Sequence, residues 1–188
     1  MKVNAVFLDR DGVINEYPGD FKYVTSWEEF KFLPKIEPSL KKLIESGYLI
    51  FIISNQAGVS KRLYTQEILN LITQNMKKEL IKHGINIYKV YYCTHHPDDN
   101  CYCRKPKTGL IDMAIADLAR AGKELNIEKS YFIGDSILDI QTGKSAGLKT
   151  ILVFSGREKP ENKDTWMLTP DWTAKDLPQA IDVILENK

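Results

Sequence analysis

Apolar residues along the chain gather into two alternating kinds of run. One kind is short and unbroken: Ala5-Val6-Phe7-Leu8 ends at Asp9, Leu49 through Ile53 ends at Ser54, and Val90-Tyr91-Tyr92 ends at Cys93. Tyr131-Phe132-Ile133-Gly134 ends at Asp135, and Thr150 through Val153 ends near Ser155. Continuous apolar stretches of this length fit strands covered on both faces, the habit of a parallel sheet. The other kind has helical spacing. Ile36, Leu40, Leu43 and Ile44 recur on one face and stop before Gly47; Ile68, Ile72, Met76 and Leu80 follow a capping Thr65 and stop before Gly84. Further helices are predicted over residues 110–125, 137–146 and 178–185. Strand and helix alternate, which predicts right-handed crossovers and a three-layer, Rossmann-like α/β fold with ligands at the carboxyl ends of the strands. Residues 156–170 read as an irregular surface segment. The whole of 1–188 is expected to form one domain with a small loop at 93–103.

The polar residues that terminate these runs carry the candidate chemistry. Asp9-Arg10-Asp11-Gly12-Val13 places two acids at the exit of the first strand, and Gly134-Asp135 with Asp139 leaves another strand at the same edge. A string such as D-x-D-G is often only a turn. Two acidic pairs meeting at one sheet edge are different, because buried carboxylates need compensation that a hard divalent cation supplies. Ser54-Asn55 offers a hydroxyl and an amide suited to phosphate oxygens. Lys105, just before Pro106, offers an ammonium on a stiffened backbone. Singly these read as turns and surface charge; at four strand ends in this order they are far more specific than any one of them.

With these four elements the chain resembles the haloacid-dehalogenase-like phosphatases, and the likeness spans nearly its whole length. The stretches Arg10 to Asn15, Tyr64-Thr65 and Cys93 to Pro106 are most similar to the branch acting on D-glycero-D-manno-heptose 1,7-bisphosphate, with the histidinol-phosphate branch next. The resemblance implies that Asp9 attacks phosphorus to form an aspartyl phosphate and that Asp11 serves as acid and then base. It implies Mg²⁺ on Asp9, Asp135 and the Asp11 carbonyl, Lys105 against the transferring phosphoryl group, and Ser54 and Asn55 on its oxygens. Asp139 supports Lys105 or the metal shell. Arg104 and Asn15 are expected at the substrate, as are Glu16 and residues 56–62, with Lys61 and Arg62 placed to face a second phosphate. The expected activity is removal of the 7-phosphate; histidinol phosphate and a phospho-acceptor signalling role are the alternatives.

All three cysteines and two of the three histidines fall between Cys93 and Cys103. In extended chain Cys93 and His95 project together, as do Cys101 and Cys103, and two such forks facing each other make a tetrahedron. Three thiolates and one imidazole suit Zn²⁺ in a closed, structural site. His96 is the alternative to His95, which the two-residue spacing favours.

Composition adds exclusions. With 26 basic against 25 acidic residues and a net charge of +1, nothing points to nucleic acid or a membrane surface. The expectation is a cytoplasmic enzyme of small phosphorylated metabolites, acting as a monomer. The 44 residues between Asp9 and Ser54 and the 49 between Asn55 and Lys105 leave no room for a separate cap domain, so the site is expected to be open.

Overall fold

The computed structural model describes residues 1–187. Five parallel strands sit where the unbroken apolar runs predict them: β1 (Lys2–Leu8), β2 (Tyr48–Asn55), β3 (Lys89–Cys93), β5 (Tyr131–Gly134) and β6 (Lys149–Val153). Two more are present. β4 (Glu124–Leu125) pairs with the start of β1, and β7 (Trp172–Ala174) pairs with β6. The sheet order is β3-β2-β1-β5-β6-β7, all parallel.

Alternation along β1 divides two cores. Val6 and Leu8 face the side covered by α1 (Ile36–Glu45), α2 (Gln66–Lys82) and α5 (Leu177–Glu186); Ala5 and Phe7 face the side of α3 (Gly109–Arg120). α4 (Ile137–Ser145) lies on that second side, where a Cβ at Gly143 would come within 2.8 Å of Phe132. Each helix hides an apolar stripe against one sheet face, the arrangement such a sheet requires. The α2 start is capped as predicted, with Thr65 Oγ1 accepting from Ile68 N at 3.3 Å. Among the described residues every α-helix belongs to this sheet, so no cap domain is present, and no helix is long and apolar enough to cross a membrane.

Two boundaries differ from the sequence-based expectation. The third helix ends at Arg120 rather than near 125: Gly122, at φ 69°, turns the chain, and Leu125 is buried as a strand residue beside Val3. The 156–170 segment holds a 3₁₀ stretch, Pro160–Thr165, and its first two residues return to the strand ends.

The chain runs outward from β1 through β2 to β3, then crosses to β5 and continues the other way. Strand direction of travel therefore reverses beside β1, where open α/β sheets bind ligands. Leu8 is in register with Ile52 on one side and Ile133 on the other, so Asp9, Ser54 and Asp135 emerge at nearly one level.

Candidate active site

Asp9 leaves β1 with its backbone N–H still bonded to Ile133 O at 3.0 Å, which fixes its side chain between β2 and β5. Lys105 enters from above β2. Its ammonium lies 2.9 Å from Asp9 Oδ1 and 2.5 Å from Asp139 Oδ1, and it donates to Ile53 O at 3.1 Å. Asn55 sets the lysine backbone: its Oδ1 accepts from Lys105 N at 3.1 Å and its Nδ2 donates to Lys105 O at 3.2 Å. Expected as a phosphate ligand, Asn55 thus has its carboxamide committed to holding Lys105, although it lines the cavity.

Asp139 belongs to the first turn of α4. Its Oδ2 accepts from Ser136 N and Oγ at 3.0 and 2.6 Å, capping the helix, which leaves Oδ1 for Lys105. Asp135 is held by the 156–170 segment: its Oδ2 accepts from Arg157 N at 2.8 Å, and its carbonyl accepts from Glu158 N at 2.9 Å. The packing is close enough to demand glycine. A Cβ at Gly12, which has φ +81°, would sit 2.2 Å from Asp135 Oδ2, and one at Gly156 would sit 1.9 Å away.

Oxygens of Asp9, Asp135 and Asp139 lie within 4.8 Å of one another, and all three residues are buried. Three acids face one ammonium. Burial, with repulsion from Asp139 and Asp11 exceeding what Lys105 restores, pushes Asp9 up to about 6. Burial, then Asp9 and Asp139, carries Asp135 well above the usual carboxylate range. Burial works against the charge on Lys105, but Asp139 and then Asp9 outweigh it and raise its pKa above that of an ordinary lysine. Asp9 Oδ1 is also buried without an aligned hydrogen-bond donor. Three buried carboxylates against one ammonium leave an excess of negative charge that fits a divalent cation between Asp9 and Asp135, since Asp139 is occupied by Lys105 and Ser136.

The Gly156→Ala substitution tests this packing. Its methyl group displaces Asp135, and divalent affinity is expected to fall about 10- to 100-fold, read as the Mg²⁺ concentration giving half-maximal activity.

The cysteine cluster assembles at the end of β3. Cys93 Sγ lies 3.5 Å from Cys101 Sγ and 3.7 Å from His95 Nδ1; Cys103 Sγ lies 3.1 Å from His95 Nδ1 and 3.6 Å from Cys101 Sγ. Zinc–sulfur bonds in a tetrahedron imply sulfur–sulfur edges of about 3.7 Å, which these separations approach. Burial and the two neighbouring sulfurs push the Cys103 thiol up to about 12, a crowding that a cation reverses. His96 turns elsewhere: its Nδ1 accepts from Asp98 N, and its backbone N–H bonds Asp99 Oδ2, closing the turn between the two forks.

Above the carboxylates lies an open cavity of about 280 Å³. Ser54, Lys105 and Asp135 lie at its base, residues Tyr17 to Tyr23 form one wall, and Arg104, Lys61 and Arg157 contribute positive charge. Arg104 Nη1 is buried without a partner. Several expectations change here. Asn15 does not reach the cavity; fully buried, it donates to Asp11 Oδ1 and Glu16 O, both at 2.9 Å, and so positions Asp11. Lys61 lines the cavity but Arg62, exposed at φ 58°, does not. The wall at 17–23 and Arg157 join the cavity without a motif in the sequence; the backbone N–H that Arg157 gives Asp135 leaves no trace in residue type.

A family model described as HAD-hydrolase-like matches residues 102–180, the part holding Lys105, Asp135 and Asp139. A D-glycero-D-manno-heptose-1,7-bisphosphate 7-phosphatase from Chlorobaculum tepidum is 35% identical over 184 residues, covering 94% of this chain and 92% of that protein. The chain belongs to the haloacid-dehalogenase-like (HAD-like) hydrolases. The HAD-like relatives include proteins named for both anomers. The Campylobacter jejuni D-glycero-alpha-D-manno-heptose-1,7-bisphosphate 7-phosphatase is 36% identical, covering 85% of this chain and 87% of its own length. The Yersinia pestis D-glycero-beta-D-manno-heptose-1,7-bisphosphate 7-phosphatase is 33% identical, covering 95% of each chain. The HAD-like D,D-heptose 1,7-bisphosphate phosphatase from B. bronchiseptica, solved with magnesium and phosphate, superposes with a TM-score of 0.86 at 27% identity, covering 99% of this chain and 100% of that one.

Proposed function

We propose that the chain is a magnesium-dependent phosphomonoester hydrolase that removes the 7-phosphate of D-glycero-D-manno-heptose 1,7-bisphosphate through an aspartyl phosphate on Asp9. The buried Lys105 ammonium, bridging Asp9 and Asp139 beneath a cavity with several further cations, carries this assignment. It brings a nucleophile and a charge that attracts phosphoryl oxygens into one water-poor corner. Ser54 Oγ is the hydroxyl that meets the phosphoryl group, and Asp11 is the proton donor and acceptor. Asp9, Asp135 and the Asp11 carbonyl would hold Mg²⁺, which would supply charge neutralisation at the phosphoryl oxygens. Cys93, His95, Cys101 and Cys103 would hold Zn²⁺ with four protein ligands, a structural ion that would fix the 93–103 loop of the single domain. Arg104, one residue past that loop, lines the cavity and brings its positive charge to the substrate.

Catalysis by this site is positioning and charge placement more than bond polarisation by any one group. Removing a buried charge partner is therefore costly twice. Lys105→Met leaves Asp9 and Asp139 facing each other, and in a chelator the unfolding free energy is expected to drop by about 3–5 kcal/mol, measured by urea denaturation.

The substrate is tested by phosphate release from both anomers of heptose 1,7-bisphosphate, histidinol phosphate and an oligonucleotide 3′-phosphate, each with Mg²⁺. A clear preference for a heptose bisphosphate supports the proposal, and comparable rates on all of them would defeat the substrate assignment. A single stoichiometric phosphorylation without turnover would make the chain a phospho-acceptor domain instead.

A further inference from the structure

Asp11 does not stand free at the cavity edge. The Arg10 guanidinium, fully buried, grips its carboxylate with Nε at 3.1 Å from Oδ1 and Nη2 at 2.9 and 3.1 Å from the two oxygens. Asn15 Nδ2 donates to Oδ1, and Gln56 Nε2 donates to Oδ2 at 2.9 Å. Only Gln56 among these three also reaches the phosphate-binding hydroxyl. The same Nε2 lies 3.2 Å from Ser54 Oγ, so one amide nitrogen spans the acid/base carboxylate and the cradle.

Gln56 is built to stay there. It has no exposure, its backbone N–H donates to Cys93 O at 2.7 Å, and its Oε1 accepts from the Tyr64 hydroxyl at 2.6 Å. A phenol that donates to Oε1 fixes which end of the amide turns toward Asp11. Tyr64 reaches that position over Gly58, where a Cβ would lie 2.2 Å from the ring. Expected to line the cavity, Gln56 instead sits behind it.

We propose that Gln56 is a positioning residue that holds the Asp11 carboxylate at a set distance from the phosphoryl group hydrogen-bonded by Ser54 Oγ, with Tyr64 as its anchor. This rests on the phosphatase assignment above. In the first step Asp9 Oδ bonds to phosphorus as the phosphorus–oxygen bond to the sugar breaks, and Asp11 gives its proton to the departing oxygen. In the second, a water oxygen bonds to phosphorus, Asp11 takes the water proton, and the bond to Asp9 Oδ breaks, restoring the carboxylate and releasing phosphate. Both transfers need Asp11 within hydrogen-bond reach of an oxygen on phosphorus, which Gln56 and Arg10 together enforce.

The experiment compares Gln56→Met and Tyr64→Phe with the unaltered full-length protein, loaded with zinc and magnesium. One readout is kcat and KM on the heptose bisphosphate; the other is the first-turnover release of 4-nitrophenolate from 4-nitrophenyl phosphate, whose leaving group needs no proton. Gln56→Met is expected to lower kcat on the sugar about 100-fold with KM within about threefold, while first-turnover nitrophenolate release stays within about fivefold. Tyr64→Phe, which deletes one oxygen, is expected to show the same split with a smaller loss, and it decides the question if Gln56→Met does not fold. Equal losses on both substrates, a KM rising in step with the fall in kcat, or an unchanged kcat in Tyr64→Phe would each overturn the proposal. Failure of the phosphatase assignment shows separately, as absence of turnover in the unaltered protein.

Discussion

Asp9→Asn is expected to fold, to bind zinc as the unaltered protein does, and to release no phosphate above background, a loss on the order of 10⁵-fold or more by comparison with removal of other covalent nucleophiles. The amide matches the carboxylate in size but cannot form the ester bond to phosphorus. Its thermal midpoint without divalent cations should be unchanged or higher, because one of three crowded buried acids is gone while Lys105 keeps Asp139 at 2.5 Å. The pairing of lost turnover with undiminished stability is what separates a nucleophile from a structural acid. Phosphate release above about a hundredth of the original rate would show that another group attacks phosphorus.

The second large effect concerns the cysteine loop. Between Cys93 and Lys105 no residue is buried, so the segment has almost no apolar core to order it. Zinc binding at such sites contributes roughly 10 kcal/mol or more of apparent free energy. Even a third of that, in a domain of this size, corresponds to a thermal midpoint lower by about 10 °C. Elemental analysis is expected to give one zinc per chain for the unaltered protein and none for Cys101→Ser, which is expected to melt earlier by at least that amount and to lose most activity although every group in the cavity is intact. Restoration of activity in chelator-stripped protein by Zn²⁺ together with Mg²⁺, and not by Mg²⁺ alone, completes the test. A Cys101→Ser protein with full stability and full turnover would mean that the loop is ordered by something other than an ion.

What the sequence discloses follows from how each feature is encoded. β1, β2 and β5 are legible because burial on both faces leaves unbroken apolar runs, and the acids that end them are conspicuous for the same reason. β4 and β7, with two and three residues, are too short to display any period. The spacing of the third helix extends to Leu125 in the sequence, although Gly122 already turns the chain. The cysteine ligands stand out through rarity and spacing. Arg10 does not: a cation between two acids reads as solvated surface, yet it has no exposure and a single carboxylate partner. Asn15 is expected at the substrate, and Gln56 as part of the 56–62 loop lining it, whereas both point inward to Asp11. Polarity identifies residues near the chemistry; only three-dimensional packing says which side of the reacting group they occupy.

Asn55 is in register with Cys93 across the β2–β3 ladder, and its side chain grips both backbone polar groups of Lys105, two positions beyond Cys103. With an ion closing the gap between Cys103 and Cys93, these links form a continuous hoop. Slack introduced at any one joint is shared by all of them, so a metal lost at the rim is felt as misalignment of the ammonium that meets the substrate.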